Sequence, residues 1–164
     1  MHMIPVTEGS MVSVTSVCNL AGDVVKAWAL IRDFNAMPAW NDSVRQSYIE
    51  NGPADRVGCL RVLLFDDGGV WTHRLTGLSD VDMKLQYCIV GTPLPMRIPV
   101  WNYRAEINVV RIESDTVCAA NSDCRIEWSA TFETARADEM RARARQVFEA
   151  GFSGLRKRLE VLVA

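Results

Sequence analysis

The chain has 164 residues, of which 49% are hydrophobic and 23% are charged, and its formal net charge is −2. This length and composition are typical of one globular domain with its own core. A slightly acidic chain without a basic block argues against nucleic acid as the main partner, and no apolar run reaches the roughly 20 residues that a transmembrane helix needs.

The histidines and cysteines argue against a metal site or a redox centre. Only two histidines occur, His2 and His73, and no C-x-x-C pair is present. The five cysteines are therefore expected to be free thiols in a reducing cytoplasm. No glycine-rich nucleotide-binding loop is found, so no cofactor is expected. Residues 1–10 lack the layout of a signal peptide and are expected to form a flexible leader before a single domain at residues 11–164.

The N-terminal part of the domain combines one strand with two helical segments. Residues 11–19 are rich in Val, Ser and Thr, which is typical of a strand. Residues 21–33 carry apolar side chains at helical spacing, among them Trp28. Pro38 would interrupt a continuing helix, so residues 34–41 are predicted to form a separate turn or short helix.

Six further strands are predicted after these helices, separated by turn signals at regular intervals. The segment Asp66-Asp67-Gly68-Gly69 is typical of a hairpin turn. Three prolines within residues 91–100 predict a loop, because proline cannot donate a hydrogen bond within a central strand. The six expected strands cover residues 43–50, 57–65, 70–78, 83–90, 102–112 and 124–133.

The last thirty residues predict one long helix, of about 25 residues and without proline. Such a helix needs a large apolar surface, which the strands supply. We therefore predict an α+β fold, in which a curved antiparallel sheet of about seven strands wraps around the C-terminal helix and two short helices follow the first strand. One face of the helix should hold Met140, Ala144, Val147, Phe148, Phe152, Leu155, Leu159 and Leu162, and the other Arg141, Arg143, Arg145, Glu149, Arg156, Lys157 and Glu160.

Particular residues accompany this order of elements, namely Trp28, Asp33-Phe34, Trp40, Gly58 to Arg61, Gly68-Gly69, Arg74-Leu75, Asp80, Tyr87, Pro93-Leu94-Pro95, Asn102 to Ala105, Glu127-Trp128, Phe132, Gly151, Gly154-Leu155 and Leu159. With these residues, the chain resembles the helix-grip fold of the START-like (SRPBCC, or polyketide cyclase/dehydrase-like) superfamily, in its bacterial single-domain form. Plant lachrymatory-factor synthase, pollen allergens and hormone receptors share that fold. The resemblance covers about residues 11–163 and implies a hydrophobic cavity between sheet and helix, but no single reaction.

Strand alternation turns two unexpected polar residues toward the inside of the sheet. Arg61 shares a strand face with apolar residues, and so does His73 on the next strand. Tyr87 and Tyr103 add hydroxyl groups on neighbouring inward faces. A fixed cation, an imidazole that titrates at about pH 6.5 and two phenols could bind an oxygen-rich group in an otherwise apolar pocket.

If the site is catalytic, His73 would act as general acid or base, Arg61 would stabilise an enolate-like anion and Tyr103 would orient the substrate. The loop at residues 91–100 and the segment at 34–40 would form the mouth of the cavity, or would instead seal the end of the core. The other predicted ligand-binding residues are large and mostly apolar, namely Trp71, Tyr87, Trp128, Leu94, Met96, Phe148 and Phe152.

Several alternatives stay open at this point. A register shift of one residue would turn Arg61 to solvent, and His73 or the tyrosines could be ordinary wall and core residues with satisfied hydrogen bonds. Relatives of the lachrymatory-factor synthase type tend to carry a glutamate where this chain has His73, paired with an arginine that matches Arg61. The substitution removes the strongest acid–base candidate and equally fits a changed ligand.

Three functional classes are consistent with these features. The first is a carrier or sensor that binds a small hydrophobic molecule, and the second is a cofactor-free enzyme of the cyclase, lyase or isomerase type. The third is an interaction protein with a vestigial cavity. A homodimer is compatible with all three.

Overall fold

The structure is a computed structural model that describes residues 9–94, 100–112 and 123–160, without the side chains of Thr92 and Leu94. The described residues form three helices and seven strands, which is the α+β architecture that the sequence predicts. The elements in chain order are β1 (Ser10–Leu20), α1 (Val24–Arg32), α2 (Met37–Trp40), β2 (Val44–Asn51), β3 (Leu60–Phe65), β4 (Val70–Ser79), β5 (Lys84–Leu94), β6 (Trp101–Arg111), β7 (Cys124–Thr134) and α3 (Ala137–Glu160).

All strands belong to a single antiparallel sheet in the order β1-β7-β6-β5-β4-β3-β2. The first strand pairs with the last over eleven residues, from Ser10 opposite Thr134 to Leu20 opposite Cys124. Inward side chains alternate with outward ones, because successive residues of a strand point to opposite faces. The predicted inward set of β7, which is Ile126, Trp128, Ala130 and Phe132, is buried.

The C-terminal helix α3 lies against the inner face of the sheet, mainly on β1, and against α2. It is 24 residues long, with Asp138 and Glu139 in its first turn and Lys157 and Arg158 in its last. These charges complement the helix dipole. The helix-grip arrangement expected from the sequence is therefore confirmed.

Two glycines allow α2 to approach α3 closely. A Cβ atom at Gly154 would overlap the backbone carbonyl oxygen of Trp40, and one at Gly151 would lie 2.7 Å from the Trp128 ring. The side-chain amide of Asn41 also donates to the carbonyl of Val147 at 3.2 Å. Both glycines are thus needed for close packing within one continuous helix.

The structure corrects the predicted boundaries in three places. β5 continues to Leu94, so the loop predicted at residues 91–100 was wrong over its first four residues. Pro93 is tolerated because the described pairing of β5 with β6 ends at Cys88, and beyond it β5 pairs with β4 alone. β3 begins only at Leu60, since Gly58 adopts a φ of 100° that interrupts the strand.

The third correction concerns the N-terminal leader. β1 already begins at Ser10, within the segment predicted as flexible, and residues 1–8 lie outside the described part of the chain. Within the described ranges, none of the helices is both long and apolar enough to cross a membrane.

Candidate functional site

Arg61 and His73 form a cross-strand pair on the inner face of the sheet. They lie directly opposite each other in β3 and β4, and their exposed fractions are only 3% and 4%. The strand face predicted from alternation is therefore the one observed. The alternative register, which would have turned Arg61 to solvent, is not found.

The guanidinium of Arg61 is held by polar atoms and by aromatic rings. Its Nε and Nη2 atoms lie 3.2 and 3.1 Å from Nδ1 of His73, and Nη1 donates to the carbonyl of Phe34 at 3.0 Å. The same group lies 4.0 Å from the centre of the Phe34 ring and 5.0 Å from that of Tyr87. Burial lowers the pKa of Arg61 to about 10, yet the side chain stays cationic at neutral pH.

This contact defines the protonation state of His73. Since the guanidinium can only donate, Nδ1 of His73 must accept, and the proton of the neutral ring then lies on Nε2. Burial, together with the charge of Arg61, holds the pKa of His73 well below its usual value of about 6.5. The expectation of an imidazole that titrates near that pH was therefore wrong.

Two tyrosines extend the polar group. The ring of His73 stacks on Tyr87 with 4.5 Å between centres, and Nε1 of Trp128 donates to the Tyr87 hydroxyl at 3.1 Å. Burial raises the pKa of both Tyr87 and Tyr103. A hydrogen bond between the two hydroxyls raises the pKa of Tyr103 further and offsets only part of the effect of burial on Tyr87. Both phenols therefore keep their protons at physiological pH.

His73, Tyr87 and Tyr103 line a small cavity between the sheet and α3. Its volume is about 30 Å³, which is enough for one or two water molecules. Arg61 stands behind His73 and does not line it. The lining is mostly apolar and consists of Met37, Phe65, Trp71, His73, Tyr87, Val100, Tyr103, Phe132, Met140, Arg143, Ala144 and Val147.

A second depression of about 190 Å³ adjoins this cavity at the surface. The two spaces share the side chains of Phe65, Trp71, Arg143 and Val147. Trp71 stands between Phe65 and Tyr103, with ring centres 5.7 and 6.4 Å away. The shared residues therefore form the boundary between the buried cavity and its outer vestibule.

The predicted ligand-binding residues separate into two groups. Trp71 and Tyr87 line the cavity. Trp128 instead packs in the core against Phe148 and Phe152, with ring centres 4.5 and 6.4 Å away. The two phenylalanines do not line the cavity either. The side chain of Leu94 and the whole of Met96 lie outside the described residues.

Arg143 is the charged lining residue that the sequence interpretation missed, and several apolar lining residues, such as Met37 and Phe65, were not predicted either. Arg143 was assigned to the polar face of the C-terminal helix. Its position three residues after Met140 and four before Val147 places it at the edge of the apolar stripe. That spacing was the available signal.

The titratable side chains elsewhere do not suggest metal chemistry. Among residues 9–94, 100–112 and 123–160, no group of three or more His, Cys, Asp or Glu side chains could hold a metal ion. Cys18, Cys59, Cys88 and Cys124 are free thiols, and Cys118 lies outside the described residues. Burial raises the pKa of Cys124 to about 11, which leaves that thiol protonated and unreactive.

The fold and the cavity together define a helix-grip domain with a small, mostly apolar cavity beneath its C-terminal helix. The family model described as polyketide cyclase/dehydrase and lipid transport matches residues 11–160. The chain therefore belongs to that family, and the resemblance drawn from the sequence is confirmed.

Solved structures from several bacteria share this fold. The protein XoxI of Bacillus cereus is 25% identical with a TM-score of 0.76, and the match covers 93% of this chain and 98% of that one. A Thermobifida fusca protein is 22% identical with a TM-score of 0.71 over 89% and 91% of the two chains. A START superfamily protein of Mycobacterium smegmatis is 15% identical with a TM-score of 0.71 over 92% and 99%. No curated protein matches the sequence.

Proposed function

We propose that this protein binds a small hydrophobic molecule that carries an oxygen function, in the cavity between the sheet and α3. The observation that supports it best is the imidazole of His73 on a mostly apolar wall, with its Nδ1 held by Arg61. Arg61 occupies Nδ1, so the remaining ring nitrogen, Nε2, is a hydrogen-bond donor. Together with the hydroxyls of Tyr87 and Tyr103, which hydrogen-bond to each other and so keep one free proton between them, it supplies donors for a carbonyl or hydroxyl oxygen.

The energetic cost of Arg61 supports a functional role. A fully buried guanidinium is expensive unless it is well paired, and its described polar partners are an imidazole and a carbonyl, with no carboxylate. An apolar pair across β3 and β4 would fill the same space at lower cost. Arg61 fixes the tautomer of His73, so that Nε2 always carries the proton. A hydrogen-bond donor at a fixed position can recognise an oxygen atom of a ligand.

Binding is favoured over proton-transfer chemistry. The described lining of the cavity contains no carboxylate, and the Nδ1 lone pair of His73 is already used by Arg61. The general acid or base role considered for His73 would need a group that changes protonation easily near neutral pH. A neutral Nε2–H can still polarise a ligand carbonyl, which is the role His73 would keep if the pocket were catalytic.

The small volume of the cavity sets a requirement on binding. A space of about 30 Å³ is far below that of ordinary ligand pockets, which are several hundred Å³. A ligand must therefore enlarge the cavity, and the adjoining vestibule of about 190 Å³ is the direction in which it opens.

Native mass spectrometry of the purified protein, followed by thermal-shift titration with apolar alcohols and ketones, tests this proposal. A co-purified molecule, or a melting temperature that rises with ligand concentration, is expected. Ala144→Leu fills the cavity and should abolish the response. Ala142→Leu, on the exposed side of the same helix, should leave it intact. Absence of any response in the unmodified protein would favour an interaction protein with a vestigial cavity.

A further inference from the structure

A permanent cation stands at the boundary between the cavity and the surface. Arg143 of α3 lines both the inner cavity and the vestibule. The side chains that share this position with it are apolar or aromatic, namely Phe65, Trp71 and Val147. Within the described lining of the inner cavity, Arg143 is the one residue with a full charge, since His73 is neutral, whereas the vestibule also contains Asp66 and Asp67. A molecule that enters from the vestibule must pass this guanidinium.

The present partner of Arg143 is Asp67, in the hairpin turn between β3 and β4. Nη2 of Arg143 donates to Oδ2 of Asp67, and Oδ1 of the same carboxylate accepts from the Gly69 amide at 2.8 Å. The Gly69 bond and the arginine lower the pKa of Asp67. The ion pair thereby connects α3 to the hairpin across the mouth of the cavity.

This ion pair is easily exchanged for another one. The side chains of Arg143 and Asp67 are 35% and 52% exposed, and exposed pairs contribute little to stability. A guanidinium has five N–H donors in a planar fork that matches a carboxylate. Arg143 is therefore a preformed binding group for a carboxylate and is now paired with Asp67. It lies where one end of a bound ligand would extend from the cavity into the vestibule.

We propose that the ligand carries a carboxylate in addition to the oxygen function that His73 recognises, and that Arg143 binds this carboxylate at the mouth while the rest of the molecule occupies the cavity. The incoming carboxylate takes the place of Asp67, which separates α3 from the hairpin and joins the cavity to its vestibule. This inference rests on the proposed function and adds the chemical class of the ligand and the residue that selects it.

Isothermal titration calorimetry with matched acids and alcohols separates this inference from the proposed function. The probes are hexanoate, octanoate, decanoate and dodecanoate and the corresponding alcohols, at about pH 8, where the acids are ionised. The expected result is that the acids bind more tightly than the alcohols. Arg143→Gln should weaken acid binding about tenfold and alcohol binding far less. Arg145→Gln, an exposed arginine on the same helix, should change neither.

A second variant tests the exchange with Asp67. Asp67→Asn keeps an amide oxygen for the Gly69 amide but removes the competing charge, so acids should bind about threefold more tightly. Equal binding of acids and alcohols, or an equal loss of both in Arg143→Gln, would overturn this inference and leave the proposed function standing. Failure of both series to bind would overturn the two together.

Discussion

Arg61 directs two of its nitrogen atoms at a single atom of His73 across neighbouring strands. Nε and Nη2 lie 3.2 and 3.1 Å from Nδ1 of the imidazole, and both side chains are buried. A protonated His73 would bring two cations into contact in a medium of low dielectric. The arginine therefore acts as a positioning residue that keeps His73 neutral and selects its tautomer.

Removal of Arg61 should raise the pKa of His73. In Arg61→Met the repulsion from the guanidinium is lost, while burial of the imidazole remains, so the pKa should rise toward about 6.5 without exceeding it. NMR titration of the imidazole carbon-bound protons measures this shift. An unchanged pKa in a folded variant would show that burial alone accounts for the neutral ring.

Stability should depend on pH through His73. Because its pKa is depressed in the folded state, the unfolded chain binds more protons below about pH 6.5. The free energy of unfolding should then fall as the pH drops below that value, by up to about 1.4 kcal/mol per pH unit. Urea unfolding between about pH 5 and pH 7 measures the slope.

The matched variant for that measurement is His73→Gln, which keeps an acceptor for Arg61 but does not titrate. Its unfolding free energy should be nearly flat over the same range. Asp67, Asp80 and Glu106 also have depressed pKa values, so they destabilise the protein only at lower pH. An equal slope in the two proteins would contradict the assignment to His73.

The two tyrosines should differ in their effects on stability. Tyr87→Phe removes the acceptor for the buried Nε1 of Trp128, and an unsatisfied buried donor costs about 1–3 kcal/mol. Tyr103→Phe removes a hydroxyl beside the cavity and should cost less. It should instead weaken binding of oxygen-bearing ligands relative to hydrocarbons. Chemical denaturation and ligand titration of both variants check the two effects.

Substitution of Gly154 should be strongly destabilising. A methyl group there would overlap the carbonyl oxygen of Trp40, so Gly154→Ala must push α2 away from α3. We expect a loss of about 3 kcal/mol, at the upper end for overpacking. Ser153→Ala, at the exposed neighbouring position, should change stability by less than about 0.5 kcal/mol. Similar unfolding free energies for the two variants would exclude the close approach.

The sequence pattern alone could not show which inward side chains line the cavity, because this depends on contacts between residues that are distant in sequence. Trp128, Phe148 and Phe152 have the same inward character in sequence as residues of the cavity wall, yet they pack against one another. The distances between the strands and α3 decide whether an inward side chain packs against another side chain or lines the cavity. Arg143 was missed for a related reason. Helical periodicity assigns the position of its Cα atom to the polar face of α3, but the long arginine side chain extends from the edge of that face to the cavity.

The sequence by itself determined the order of the elements and predicted the inward faces of the strands, while the structure decided between the two registers that were open for Arg61. These properties follow from periods of two and 3.6 residues, which are local and repeat along the chain. Only the tertiary structure decided the tautomer of His73, the small volume of the cavity and the position of Arg143 at its mouth. Each of these depends on the distance between atoms that are remote in sequence, and such distances are set by packing between the sheet and α3.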